Sequence, residues 1–201
     1  MIRIILAGEG RNELGSFWVE ESFRPETAEP GVLESLLRQV RDDGWKIVDA
    51  IRWTRLPKLQ VGIGKKGEEQ NVRRAFHHAR KRGCEILVFS RDRDGPKFAH
   101  REEDIERAIA SLSAEESGPA VVGAVAVERL EAWILAIAGQ RRSEDLRRPE
   151  EHLPDAGVPS KDTAAMVALV ERCGLSRIPD DASSLCRWLT RAKDALGAPT
   201  P

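Results

Sequence analysis

The chain has 201 residues, 41% of them hydrophobic, with 32 Lys+Arg against 33 Asp+Glu. That length suits one globular unit with a proper core, and a net charge of -1 excludes whole-protein attraction to nucleic acid or to a membrane surface. Cys84, Cys173 and Cys186 are odd in number and lack CxxC spacing, which argues against a disulfide framework and a zinc site.

The opening MIRIILAGEG carries an apolar stretch too short for a signal peptide or a membrane span. A cytoplasmic location and no membrane partner are the expectation. IRIILA at 2 to 7 reads as a strand, followed by a helix near 31 to 43 with Val32, Leu33, Leu36, Leu37 and Val40 apolar. A second strand is predicted at 45 to 53, a helix at 68 to 82, a third strand at 84 to 90, a helix at 102 to 114 and a fourth strand at 120 to 127. Gly44 and Gly83 stand where helix C-caps are expected. The alternation is that of an α/β protein with a mainly parallel sheet, its strands apolar enough to be buried on both faces.

RLEAWILAIAG then reads as a strongly apolar helix. Residues 139 to 160 are charged and proline-bearing and read as a long loop with little structure of its own. Two short helices, from about Ser160 to Cys173 and Asp181 to Leu196, are expected to cap the sheet domain, which spans 1 to 138.

Two strand ends carry the chemistry. GEGRNE places Glu9 past the first strand, with Gly8 and Gly10 expected to let the backbone bend around it. VFSRDRDGPK ends the third strand in Asp92 and Asp94, and residues at i and i+2 of an extended segment point the same way. Alone, that DxD reads as a turn and N-cap pair rather than a metal site. If both strands are central and parallel, the three carboxylates open onto one crevice at the C-terminal edge of the sheet. Hard oxygen donors with room for a phosphate oxygen suit Mg²⁺ or Mn²⁺. Arg91 and Arg93 flank the carboxylates and can neutralise them. Glu128 and Glu131 are the nearest supplements, though Glu131 is equally a helix-terminal carboxylate favoured by the macrodipole.

These segments resemble the Toprim catalytic domain shared by topoisomerases, primases and OLD-type nucleases. EGRNE at 9 to 13 is similar to the EGxTE signature of the OLD-type branch, with Asn12 in place of threonine. VAVERLEAWILA, with Glu131-Ala132-Trp133, is similar to the E-A-W helix of small RloB-like proteins often encoded beside ATPases in bacterial defence loci. The resemblance implies a Toprim-like, Rossmann-like open sheet of about four strands with helices on both faces and a small helical C-terminal cap. It further implies a divalent-metal-dependent nuclease acting on DNA or RNA with an ATPase partner, and allows a homodimer. Glu9 would be general acid/base or metal ligand, Asp92 and Asp94 would hold the ion, and Glu13 and Glu131 would join them. Lys161, which starts the first capping helix, would contribute a cation.

The window around GIGKKG is the most basic of the chain, with Arg52, Arg55, Lys58, Lys65, Lys66, Arg73 and Arg74. It reads either as a phosphate-binding loop at a helix N-terminus or as a solvated loop. His77 and His78 read as surface or core filling. Trp133 and Trp188 fall on apolar helix faces, which leaves Trp18, Trp45 and Trp53 for base stacking. Three other readings stand beside the nuclease. One is a non-catalytic Toprim-like module binding metal, nucleic acid or a partner. The second is a haloacid-dehalogenase-type phosphatase, with Asp180-Asp181 as its late acidic pair, and the third is a nucleotide-sugar glycosyltransferase with the DxD as its Mn²⁺ site.

Overall fold

Four strands form one parallel sheet in the order β2-β1-β3-β4: β1 (Ile2–Gly8), β2 (Trp45–Arg52), β3 (Ile86–Asp92) and β4 (Ala120–Ala126). The computed structural model describes residues 1–16, 28–58, 67–115, 117–159 and 162–197. The helices are α1 (Arg11–Leu14), α2 (Val32–Val40), α3 (Gly67–Lys81), α4 (His100–Ser113), α5 (Leu130–Ile137), α6 (Thr163–Cys173) and α7 (Ser183–Leu196). The protein is thus an open, doubly wound α/β fold of the Rossmann-like kind. Among the described residues no helix is long and apolar enough to cross a membrane.

Strand alternation splits the core into two layers. Ile4 and Leu6 of β1 and Ile86 and Val88 of β3 face α2, α5, α6 and α7, while Ile5, Ala7, Leu87 and Phe89 face α3 and α4. Parallel strands joined by helices must be covered on both sides, which explains their unbroken apolar runs. The crossovers lie on one face between β1 and β2 and on the other for the remaining pair, so the winding reverses between β1 and β3. That reversal opens a crevice at the carboxyl ends of the two central strands.

The C-terminal helices belong to this same core. Trp188 of α7 and Trp133 of α5 are fully buried with ring centroids 6.1 Å apart. Trp133 donates to Ser184 Oγ at 2.7 Å, and Trp188 donates to the Phe89 carbonyl at 3.0 Å. Arg191 donates to the carbonyl of Gly123 in β4 and also holds Glu106 of α4. α7 thereby covers a strand edge that would otherwise present unpaired backbone groups.

Some local expectations are corrected. Residues 139–159 are not structureless: they contain 3₁₀ turns at Ser143–Asp145 and Pro149–Ala156, and Leu153 and Val158 are buried. Glu144 explains the order there, because its carboxylate accepts bonds from both the amide and the hydroxyl of Ser184 and from the amide of Leu185. It caps α7 from a distant turn. Gly83, at φ +64, closes α3 as expected: Gly83 N–H donates to Arg80 and Cys84 N–H to Ala79 in a Schellman pattern. Gly44 does not cap α2, which ends at Val40 with extended Arg41 as its C-cap.

Candidate carboxylate site at the sheet switch point

β1 and β3 are adjacent, parallel and central, so the strand ends bearing Glu9 and Asp92 meet as the sequence predicts. A cavity of about 410 Å³ opens there, lined by Glu9, Gly10, Arg11, Asn12, Glu13, Asp92, Asp94, Arg129, Leu130 and Glu131. Five of those ten residues are acidic. The sequence reading named all five.

Each arrives by a different local cause. Asp92 is the last residue of β3 and shares a face with Val88, which turns it toward α5. There its Oδ1 accepts the N–H of Leu130 at 3.0 Å. The N-cap reading of the DxD is therefore half right, since Asp92 satisfies the first amide of α5 rather than that of the helix that follows it in sequence. Glu13 sits in the single turn α1, only 4% exposed, and accepts the Gly10 N–H at 3.0 Å. Glu131 lies in the first turn of α5 and is 6% exposed. Gly8 is needed for this packing, because a Cβ there would stand 2.8 Å from the Cβ of Glu13. Gly10 is not, since its φ of -169° suits any residue and a Cβ would meet nothing within 4 Å.

The alternation argument fails for Asp94. The strand ends at Asp92, and Asp94 adopts φ +57 in a turn with Gly95 at φ +97. Asp94 still lines the cavity, but its Oδ2 accepts from Arg101 at 2.9 Å. Glu9 accepts from Arg91, which also gives two bonds to Glu68 in the first turn of α3. Burial opposes the Arg91 charge, yet Glu68 and Glu9 outweigh it and hold the guanidinium above its ordinary pKa. Arg93 pairs with Glu128 and leaves both aspartates alone. The sequence flagged both arginines: Arg91 engages Glu9, and Arg93 engages Glu128, one of the two supplements. Glu68 and Arg101 went unnoticed, and no local spacing pointed to them.

Burial, then the charges of Glu13, Glu131, Glu9 and Asp94, push the Asp92 carboxyl up to about 8. Burial also raises Glu13 to about 7, opposed by its own amide and that of Gly10 and reinforced by Glu9 and Glu131. Like charges crowded in a partly dry cleft are the setting a cation relieves. Among the described residues no three His, Cys, Asp or Glu side chains converge closely enough as placed to hold an ion. Glu9 and Asp94 are turned to their arginines. The donor set itself, all carboxylate oxygen with no thiolate or imidazole, fits Mg²⁺ or Mn²⁺ rather than zinc.

Of the basic window only the flanks are described, since residues 59–66 lie outside the described residues. Arg73 is largely buried and holds Ser111 at 2.7 Å and Glu69 at 3.6 Å. Arg74 reaches Asn71 within α3 at 3.5 Å. Glu68 and Glu69 occupy the first turn of α3, a poor setting for a phosphate. Arg52 ends β2 and Arg55 and Lys58 follow it, all outside the cavity lining. Lys65, Lys66 and Lys161, like Trp18, lie outside the described residues. Trp53 is buried and donates to the Ser90 carbonyl, and Trp45 donates to the Arg41 carbonyl, so neither indole N–H is spare. His78, read as surface or core filling, lies 3.3 Å from Asp49. Asp180 and Asp181 are not among the residues lining the cavity.

Searches against family models, curated proteins and solved structures match none of them to this chain.

Proposed function

We propose that the chain is a divalent-metal-dependent phosphodiester hydrolase, a nuclease acting on DNA or RNA. The observation that carries the reading is the convergence of Glu9, Glu13, Asp92, Asp94 and Glu131 around one cavity at the switch point of a parallel sheet. Glu9, Asp92 and Asp94 would hold Mg²⁺ or Mn²⁺, with Glu13 and Glu131 as further donors. A bound divalent ion supplies charge stabilisation at the transferring phosphate and lowers the pKa of water. Arg11 and Arg129 also line the cavity, paired with Glu29 and Glu150. The Toprim resemblance of EGRNE and of the Glu131-Ala132-Trp133 helix supports the same chemistry. An ATPase partner in a defence system rests on that resemblance alone, as does the homodimer.

One observation favours a second reading, a non-catalytic module: Glu9 and Asp94 are both engaged by arginines. Incubating the purified protein with Mg²⁺ or Mn²⁺ on plasmid, single-stranded DNA and tRNA separates the two. The nuclease cuts at least one of these, and Glu9→Ala and Asp92→Asn abolish the cutting. Cleavage that survives both substitutions, or metal binding with no cleavage of any substrate, sinks it.

A further inference from the structure

Arg91 and Arg101 are anchored more firmly than their roles as partners of Glu9 and Asp94 require. Arg91 gives Nε and Nη2 to the two oxygens of Glu68 at 3.2 and 3.0 Å, and Arg101 Nε forms an ion pair with the same carboxylate at 3.2 Å. Each guanidinium also lies near an aromatic ring, Arg91 at 5.8 Å from the Trp53 centroid and Arg101 at 4.9 Å from that of Phe98. The Glu68 side chain is 12% exposed, whereas Glu9 and Asp94 are 34% and 45% exposed. The anchor is interior and the other partners face water. Neither arginine lines the cavity, but Glu9 and Asp94 both do.

This layering has a chemical consequence. The carboxylate ends of the two pairs face water while the guanidinium ends do not, so Glu9 and Asp94 can turn into solvent, and Glu68 and the two rings keep the guanidiniums in place and partly neutralised. Two arginines sharing one buried carboxylate carry a net charge of +1 toward the cavity once the outer carboxylates turn away. A planar fork already fixed in orientation is well suited to phosphate oxygens. Building on the metal-site reading above, we propose that Arg91 and Arg101 form a phosphate-binding pair, anchored by Glu68 and masked by Glu9 and Asp94 until a divalent cation draws those carboxylates to itself. Cation and phosphate then bind cooperatively, because each removes the other's competitor, and linkage makes the effect reciprocal.

The test uses the full chain, Ca²⁺ as the cation, and two probes, inorganic phosphate and a fluorescent oligothymidylate, with Mn²⁺ binding followed separately by electron paramagnetic resonance. Wild type binds a probe at least tenfold tighter with Ca²⁺ than in EDTA, and Arg91→Gln or Arg101→Gln removes that gain while Mn²⁺ still binds. Response to inorganic phosphate alone marks a monoester site, and response to the oligonucleotide marks a diester site. The double variant Glu9→Gln, Asp94→Asn changes only exposed side chains and unmasks the pair without metal. It gains at least tenfold in EDTA, whereas Glu151→Gln, which removes one charge from the exposed Arg148 pair, gains less than twofold. Arg91→Lys and Arg101→Lys retain charge and lose the fork, and are expected to keep only part of the affinity. Equal affinity with and without Ca²⁺ in a protein that binds Mn²⁺ overturns this proposal and leaves the metal site standing. Absence of Mn²⁺ binding in wild type overturns the metal site, while the double variant still reads the arginines directly.

Discussion

Replacing Asp92 by Asn should stabilise the cation-free protein, and increasingly so as pH rises. Asn keeps the Oδ1 acceptor for the Leu130 amide and removes a charge that burial and four neighbouring carboxylates oppose. In wild type the folded-state pKa of about 8 lies above the ordinary 3.8. Between those values the native state binds more protons than the unfolded chain, so stability falls as pH climbs through the window and levels off above it. At about 1.4 kcal/mol per unit the full displacement corresponds to on the order of 5 kcal/mol. Solvent in the open cavity relaxes part of that, leaving at least about 2 kcal/mol. Urea melts in EDTA at pH 5 and pH 9 measure it: wild type loses this amount relative to Asp92→Asn, since the remaining groups titrate in both proteins. Mg²⁺ at pH 9 restores wild type by mass action and leaves the variant unchanged. Parallel pH profiles for the two proteins would refute the claim that Asp92 is held in a crowded, desolvated cluster.

Mg²⁺ binding should release protons below pH 8, because a cation displaces those held by Asp92 and Glu13; calorimetry in buffers of different ionisation enthalpy counts them, and affinity rises between pH 6 and 9. Glu144→Ala orphans the Ser184 and Leu185 amides and should cost about 2 to 4 kcal/mol in denaturant melts, with a loss of near-ultraviolet signal from Trp133 and Trp188. Gly123→Ala places a Cβ against the ring of Phe89, an overpacking expected to cost about 1 to 3 kcal/mol. The Phe89→Leu second-site change, which removes the ring, should recover part of it.

Much of the site was legible because it depends on strand ends. β-branched runs locate strands, strands in an α/β alternation are parallel, and residues just beyond their carboxyl ends share one edge of the sheet. Glu9 and Asp92 follow from that reasoning alone. Asp94 shows where it stops: the extended period was carried two residues past a strand that ends at Asp92, and the left-handed backbone at 94 is not visible in a local pattern. The third strand was placed too early, at 84 to 90 rather than Ile86–Asp92, because Cys84 looks apolar although it belongs to the turn closing α3. The loop reading of 139 to 159 failed for a related reason. Its order comes from one buried carboxylate reaching the start of a helix about forty residues away, and composition does not record such a contact.

Periodicity and composition alone settle the α/β class, the four strands, the apolar faces of the helices and the acidic character of the edge. These are sums of local preferences, and each residue contributes without knowing its partners. Tertiary structure alone decides which charges are free. Glu68 is unremarkable in sequence, yet winding β1 and β3 side by side brings the start of α3 against Arg91 and Arg101, and those arginines to Glu9 and Asp94. Coulomb energy depends on distance and burial rather than on order along the chain. The carboxylates were readable as letters, and their partners became readable only in the fold.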